Sequence, residues 1–116
     1  MPLVEITHAA RFDDAQLRLL AERLPHEVSL AVECPEEPYD GDLRPGDVDL
    51  RFRPRGPYDA GGLDLVIEVR SRWTASRAET RDDRCERLRR FLVDLVGTPS
   101  VGVFLTLPVA GWAQGE

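Results

Sequence analysis

The sequence predicts a single α/β domain of two consecutive β-α-β repeats, whose four strands form one sheet with two helices on one face. Short runs of alternating or continuous apolar residues occur at four places, and apolar residues recur at helical spacing over two longer segments. The segments follow one another in the same order in both halves. The predicted domain is residues 1–116, with repeats at about 2–54 and 63–108.

The first repeat opens with a strand over residues 2–8. Asp13 offers an N-cap for the helix that follows, and Pro25 interrupts that helix. Residues 28–33 are then either the end of a kinked helix, which we prefer, or a strand, because Val28, Leu30 and Val32 also alternate. A loop rich in Pro, Gly and acidic residues over 33–46 leads to a strand carrying Val48, Leu50 and Phe52.

The second repeat begins with a strand over residues 63–72. Ser76 and Glu79 form a predicted capping box for a helix that ends at Gly97 and Pro99, and residues 101–107 form the last strand. Two helices cover only one face of a sheet, yet several strands carry neighbouring apolar residues such as Leu3 and Val4. We therefore expect the other face to be covered by further copies of the chain.

Composition and charge exclude several classes of function. The formal net charge is −6, and all 15 basic residues are Arg, so a general affinity for nucleic acid or for acidic membranes is not expected. No apolar run approaches the ~18 residues of a membrane span, and no signal peptide is visible, which predicts a cytoplasmic protein. Cys34 and Cys85 share no metal-ligand spacing with the two histidines, so we expect free thiols, no metal and no cofactor.

Pro2 is the residue of this sequence with the clearest possible catalytic role. Removal of Met1 would leave a secondary amine at the start of the first strand. Burial and nearby guanidinium groups disfavour the charged form of such an amine, so it could act as a general base near neutral pH. Alternatively, Pro2 simply opens a strand, where its missing N–H does no harm.

Several arginines lie on and just after the predicted interior strands, namely Arg51, Arg53, Arg70, Arg72 and Arg77. Together with the Met-Pro-aliphatic start and the β-α-β repeat of about sixty residues, they make the sequence resemble the tautomerase superfamily. The layout looks most similar to that of 5-carboxymethyl-2-hydroxymuconate isomerase, which also tolerates a proline in its first helix. The segment Arg70–Arg72 looks like the paired-arginine segment of malonate semialdehyde decarboxylase.

The resemblance implies a tautomerase-like, trimeric α+β protein with a mixed sheet, in which Pro2 is the catalytic base of a pocket between subunits. Arginines would bind a small carboxylated 2-oxo acid or 2-hydroxydienoate and stabilise the enolate. The candidate substrate-binding residues are Arg51, Arg72, Arg77 and Arg11. Trp112 is the candidate pocket wall.

Two other hypotheses about the function stay open. A non-catalytic trimer of this fold would keep Met1 and bind a small acid or a protein partner. A decarboxylase or dehalogenase-type member would need an acid to activate water, for which Glu37 is a loose match.

Overall fold

The computed structural model describes residues 2–109, 111 and 113–115. The strands are β1 (Leu3–His8), β2 (Asp49–Pro54), β3 (Leu65–Arg70) and β4 (Val101–Thr106). The helices are α1 (Asp14–Val32), α2 (Ala75–Glu79) and α3 (Arg81–Val96), with one 3₁₀ turn at Pro38–Gly41. None of the helices in the described part of the chain has both the length and the apolar character that crossing a bilayer requires.

The four strands form one mixed sheet in the order β2-β1-β3-β4. β1 is parallel to β2 and antiparallel to β3, and β3 is parallel to β4. The register places Leu3 opposite Arg70, so the beginning of β1 and the end of β3 lie at one end of the sheet. The predicted four-stranded mixed sheet with two long helices is confirmed.

α1 begins at a capping box in which the Asp13 side chain accepts from the backbone N–H of Gln16 and the Gln16 side chain accepts in return. The helix continues through Pro25 to Val32, which confirms the helical interpretation of residues 28–33. The predicted capping box of Ser76 and Glu79 is wrong. α2 is instead capped by Thr74, because the Thr74 hydroxyl is placed to accept from the backbone N–H of Arg77, and Thr80 separates α2 from α3.

Both long helices cover the same face of the sheet. Alternate residues of β1 and β3, among them Ile6 and Ile67, are fully buried in a single core with Leu20, Leu24 and Leu92 from the helices. Burial of these side chains is the main favourable term in the stability of the fold.

The other face, which we call the open face, is mixed rather than apolar. Its apolar residues include Leu3, Val66 and Phe104, the last being 62% exposed. The charged ones are Glu5, Asp49, Arg51, Arg53, Glu68 and Arg70. Alternation puts Leu65 and Ile67 on the helix face and Val66 on the open face, so β1 and β3 carry apolar residues on both faces, with charged residues beside them on the open face.

Candidate active site

Pro2 lies at the start of β1 with its side chain fully buried. Its carbonyl accepts a hydrogen bond from the backbone N–H of Asp49 at 3.1 Å, which ties the residue to β2. On the other side of β1, Leu3 pairs with Arg70, and Arg72 follows two residues later. Pro2 and Arg72 are therefore at the same end of the sheet.

A cluster of charged side chains lies beside Arg72. Arg77 Nη1 donates to Glu37 Oε1 at 2.6 Å, and Arg77 Nη2 donates to Asp40 Oδ2 at 2.7 Å. The Tyr39 hydroxyl donates to Glu37 Oε2 at 2.5 Å. Arg72 Nη1 lies 3.7 Å from the same Glu37 Oε2. We call Glu37, Asp40, Arg72 and Arg77 the charged cluster.

The environment of Glu37 keeps its carboxylate ionised. Burial alone would raise the pKa of Glu37, but hydrogen bonds from Tyr39 and Arg77 and the charges of Arg77 and Arg72 outweigh burial, and the pKa lies below its ordinary value. The hydrogen bond to Glu37 in turn raises the pKa of Tyr39. Glu37 is thus a charged acceptor at neutral pH and a weak proton acceptor.

Arg77 does not present its guanidinium to a ligand. Its side chain is 0% exposed, and besides the two acids it donates to the carbonyl oxygens of Val32 and Arg72, at 2.6 and 2.7 Å. We therefore do not assign Arg77 to direct substrate binding. Arg72, with a side chain 67% exposed, is more accessible to an incoming anion than Arg70 at the same end, whose side chain is 44% exposed and donates to Glu68.

Within one chain, Arg51 faces away from the buried ring of Pro2, and Arg11 lies at the other end of β1. Arg51 projects from the open face and pairs with Asp49 at 3.0 Å, whereas the ring of Pro2 is buried. Arg11 follows the far end of β1, about 20 Å along the strand, where it pairs with Asp64 at 2.6 Å. Of the predicted site residues, Arg72 and Arg77 meet at Glu37, Pro2 lies at the same end of the sheet, and Trp112 lies outside the described residues.

A cleft of about 570 Å³ lies between the end of α1 and the start of α3. Its lining includes Cys34, Thr80, Arg84 and Arg87 but neither Pro2 nor the charged cluster. Volume alone therefore does not identify the site in a single chain, and the Pro2 end of the sheet remains the better candidate because it unites a buried ring with an accessible cation.

No protein-family model matches the sequence, and no curated protein matches it either. Solved structures do match. Malonate semialdehyde decarboxylase is 18% identical, with 98% of this chain and 91% of that chain covered and a TM-score of 0.67. Wild-type fused 4-OT, solved as a symmetric trimer, is 14% identical, with coverages of 98% and 94% and a TM-score of 0.65.

A macrophage migration inhibitory factor-like protein from Entamoeba histolytica is 10% identical, with 99% of this chain and 96% of that chain covered and a TM-score of 0.61. This chain has the tautomerase fold. At these identities the likeness establishes the fold of the superfamily. The nearer likeness to 5-carboxymethyl-2-hydroxymuconate isomerase stays a prediction.

Two members of the site in this tautomerase-fold chain were missed from the sequence, namely Tyr39 and Asp40. Both belong to the acidic and proline-rich segment that was interpreted only as a loop. A 3₁₀ turn over Pro38–Gly41 places Asp40 against Arg77. A Pro-Tyr-Asp-Gly sequence is a turn signal that could have indicated ordered structure here.

Proposed function

We propose that this chain is a cytoplasmic, cofactor-independent tautomerase or double-bond isomerase of small carboxylated 2-oxo acids or 2-hydroxydienoates, with the Pro2 amine as general base. The observation that carries the proposal is a fully buried Pro2 at the same end of the sheet as the accessible Arg72, in a tautomerase fold. Burial disfavours the charged amine and so favours the form that accepts a proton.

In the proposed reaction Arg72 binds the substrate carboxylate. The Pro2 nitrogen takes the proton from the enol hydroxyl and delivers it to the substrate carbon. The C–O bond becomes C=O, the C=C bond becomes a C–C single bond, and a new C–H bond forms as the amine returns to its neutral form. Positive charge near the oxygen stabilises the enolate between the two transfers. Arg51 is the candidate for that role, supplied by a neighbouring chain because in its own chain it projects from the open face whereas the ring of Pro2 is buried.

The direct test is an activity assay of the protein with a free Pro2 amine. Intact mass first establishes that Met1 is absent. The protein is then mixed with 2-hydroxymuconate or phenylenolpyruvate, and loss of the enol absorbance is followed. Ketonisation faster than in buffer is the expected result, whereas a rate equal to that in buffer for both acids would refute the proposal.

We propose a homotrimer as the working assembly. The open face carries Leu3, Val66 and Phe104 with no helix of its own chain to cover them. The structural neighbours include fused 4-OT trimers. A pocket shared between chains would also allow Arg51 or Arg11 of one chain to face Pro2 of another.

Val66→Asp is expected to prevent assembly, because it places a carboxylate in the middle of the open face, where a partner would have to desolvate it. Leu19→Asp is the matched control, since Leu19 is a partly exposed leucine of α1, 38% exposed. Light scattering should show three chains for the native protein and the control, and fewer for Val66→Asp. A native protein that is monomeric at micromolar concentration would contradict the trimer.

Arg72→Ala is expected to lower kcat/KM, mainly by raising KM. The loss should correspond to roughly 1.5–3 kcal/mol of transition-state stabilisation, the range for a hydrogen bond to a charged group. Arg51→Ala should lower kcat/KM by a similar amount, but through kcat, if Arg51 stabilises the enolate. Arg18→Ala is the control, because Arg18 pairs with Asp14 on the exposed face of α1. Unchanged kinetics in both variants would assign the two arginines to the solvated surface.

Decarboxylation or hydration is the second candidate, supported by a carboxylate, Glu37, whose Oε2 lies 3.7 Å from Arg72 Nη1. Its lowered pKa makes Glu37 a weak base and places this candidate behind the first. Release of acetaldehyde from malonate semialdehyde, with no ketonisation of enol acids, would reverse the order. Binding of small acids without turnover of enol acids or of malonate semialdehyde would favour the hypothesis of a non-catalytic binding protein.

A further inference from the structure

Arg77 is the one buried arginine among the residues that the structure describes, and its contacts join three segments. The guanidinium donates to the last helical carbonyl of α1 at Val32, to Glu37 and Asp40 in the 33–41 segment, and to the backbone carbonyl of Arg72. Each distance is 2.6 or 2.7 Å. Arg77 thus fixes both the Glu37 carboxylate and the backbone from which the Arg72 side chain extends.

The two arginines share Glu37 unequally. Arg77 binds Oε1 at 2.6 Å from the buried side, whereas Arg72 stands 3.7 Å from Oε2 with a side chain 67% exposed. The first contact is a charge-assisted hydrogen bond and the second is too long to be one. The Tyr39 hydroxyl also donates to Oε2. Glu37 is therefore satisfied without Arg72.

From this asymmetry we infer that Arg77 is a positioning residue that neutralises Glu37 from the buried side and thereby leaves Arg72 available to an incoming carboxylate. The inference rests on the proposed role of Arg72 in binding substrate. The inference implies that Glu37 and a ligand carboxylate compete for Arg72, because both are carboxylates and both can bind its guanidinium.

The charges of the cluster explain why Arg77 is needed. With Arg77 present, two acids face two arginines, and the buried one takes both Glu37 and Asp40. Without Arg77, two carboxylates would have only Arg72 close by, and a poorly solvated carboxylate gains most from the nearest cation. Arg72 would then turn from the solvent to Glu37 and close its own binding position.

A role in stability alone does not account for this arrangement. Burying a guanidinium with two carboxylates carries a large desolvation cost, and replacing such groups with apolar residues is often neutral or stabilising. Arg84 shows that the end of α1 has another arginine for its carbonyls, because Arg84 Nη1 donates to the carbonyl oxygens of Ala31 and Glu33 at 3.0 and 2.8 Å. The hydrogen bonds of Arg84 go to Thr80, Ser76 and the end of α1 rather than to Glu37, so Arg84 is the matched control.

The experiment measures binding rather than turnover, so its outcome is separate from that of the Pro2 proposal. Benzoate is titrated into the full-length protein by calorimetry at neutral pH, with neutral benzamide as the reference ligand. Arg77→Met is expected to weaken benzoate binding by about tenfold or more, the loss of one charged hydrogen bond. It should leave the smaller affinity for benzamide unchanged, and Arg84→Met should change neither.

Rescue separates positioning from a general loss of structure. Adding Glu37→Gln and Asp40→Asn to Arg77→Met removes the acids that would capture Arg72, so benzoate affinity should return to within about threefold of the native value. No weakening in Arg77→Met, or no recovery in the triple variant, would overturn the inference. Failure of benzoate to bind the native protein more tightly than benzamide would overturn it too.

If Arg77→Met does not fold, Glu37→Gln is used in its place. This variant distinguishes a Glu37 that competes with the ligand for Arg72 from a Glu37 that supports ligand binding. Freeing Arg72 from Glu37 should leave benzoate affinity equal to the native value or tighter. A tenfold weaker affinity in Glu37→Gln would mean that Glu37 itself supports binding, which is the opposite of competition.

Discussion

A chain that carries one extra residue before Pro2 is expected to lose at least about a hundredfold in kcat/KM relative to a chain that begins at Pro2. A general base contributes typically 10²–10⁴-fold, and an amide nitrogen is not a base. The extended form can be made by cleaving a fusion so that Gly precedes Pro2. The free form follows from removal of Met1, and intact mass identifies each before the enol acids are assayed.

Binding provides the control for this comparison. The extended chain should keep its benzoate affinity and its circular dichroism spectrum, because Arg72 and the core do not depend on the amine. Equal rates in the two forms would show that Pro2 is not the base. Loss of both rate and affinity would show that the extra residue blocks the pocket.

The pH dependence of kcat/KM is a second test of the Pro2 amine as the base. The neutral amine is the active form, so kcat/KM should rise with pH through a single pKa. Because the ring of Pro2 is fully buried and burial disfavours the cation, we expect that pKa to lie below that of an ordinary proline amine. A rate that falls with rising pH over the same range would mean that the protonated amine acts as an acid.

Ile67→Ala is expected to lower the free energy of unfolding by about 2–5 kcal/mol, and Ile67→Val by about 0.5–1.5 kcal/mol. Ile67 is fully buried at the centre of β3, between Ile6 of β1 and Val103 of β4. Its truncation leaves a cavity that a close-packed sheet and helix layer cannot fill. Urea unfolding at a fixed protein concentration measures the change.

The neighbouring Val66→Ala is the matched control, because Val66 lies on the open face. Its cost should depend on protein concentration if partner chains cover that face as proposed, while the cost of Ile67→Ala should persist at every concentration. A smaller loss for Ile67→Ala than for Val66→Ala would place the main core on the wrong side of the sheet.

The layout of the fold could be predicted because its signals are local. The alternation of Val48, Leu50 and Phe52 and the Gly97 helix end are each decided within a few residues. The start of α2 could not, because Thr74 and Ser76 are both good caps and tertiary contacts choose between them. Ser76 instead donates its backbone N–H to the Glu36 carboxylate, 40 residues away in sequence.

The candidate site was less accessible to sequence reasoning. Pro2 could be proposed from its position alone, but an arginine shows nothing of its burial in the sequence. Arg77 is buried because Glu37 and Asp40, 40 and 37 residues earlier, turn back onto it. The same residue type 5 positions away, Arg72, stays in solvent. Which arginine meets the solvent depends on the path of the 33–41 segment.

The antiparallel pairing of β1 with β3 gives the chain an approximate twofold axis with unequal ends. Pro2 precedes β1 at one end, and Asp64 precedes β3 at the other, where its carboxylate is bound by Arg11. The backbone nitrogen of Asp64 is part of the peptide bond with Leu63, so the equivalent end offers no amine. The stoichiometry of any amine-dependent chemistry is therefore one site per chain, and a titrating covalent reagent for the Pro2 amine should saturate at one equivalent.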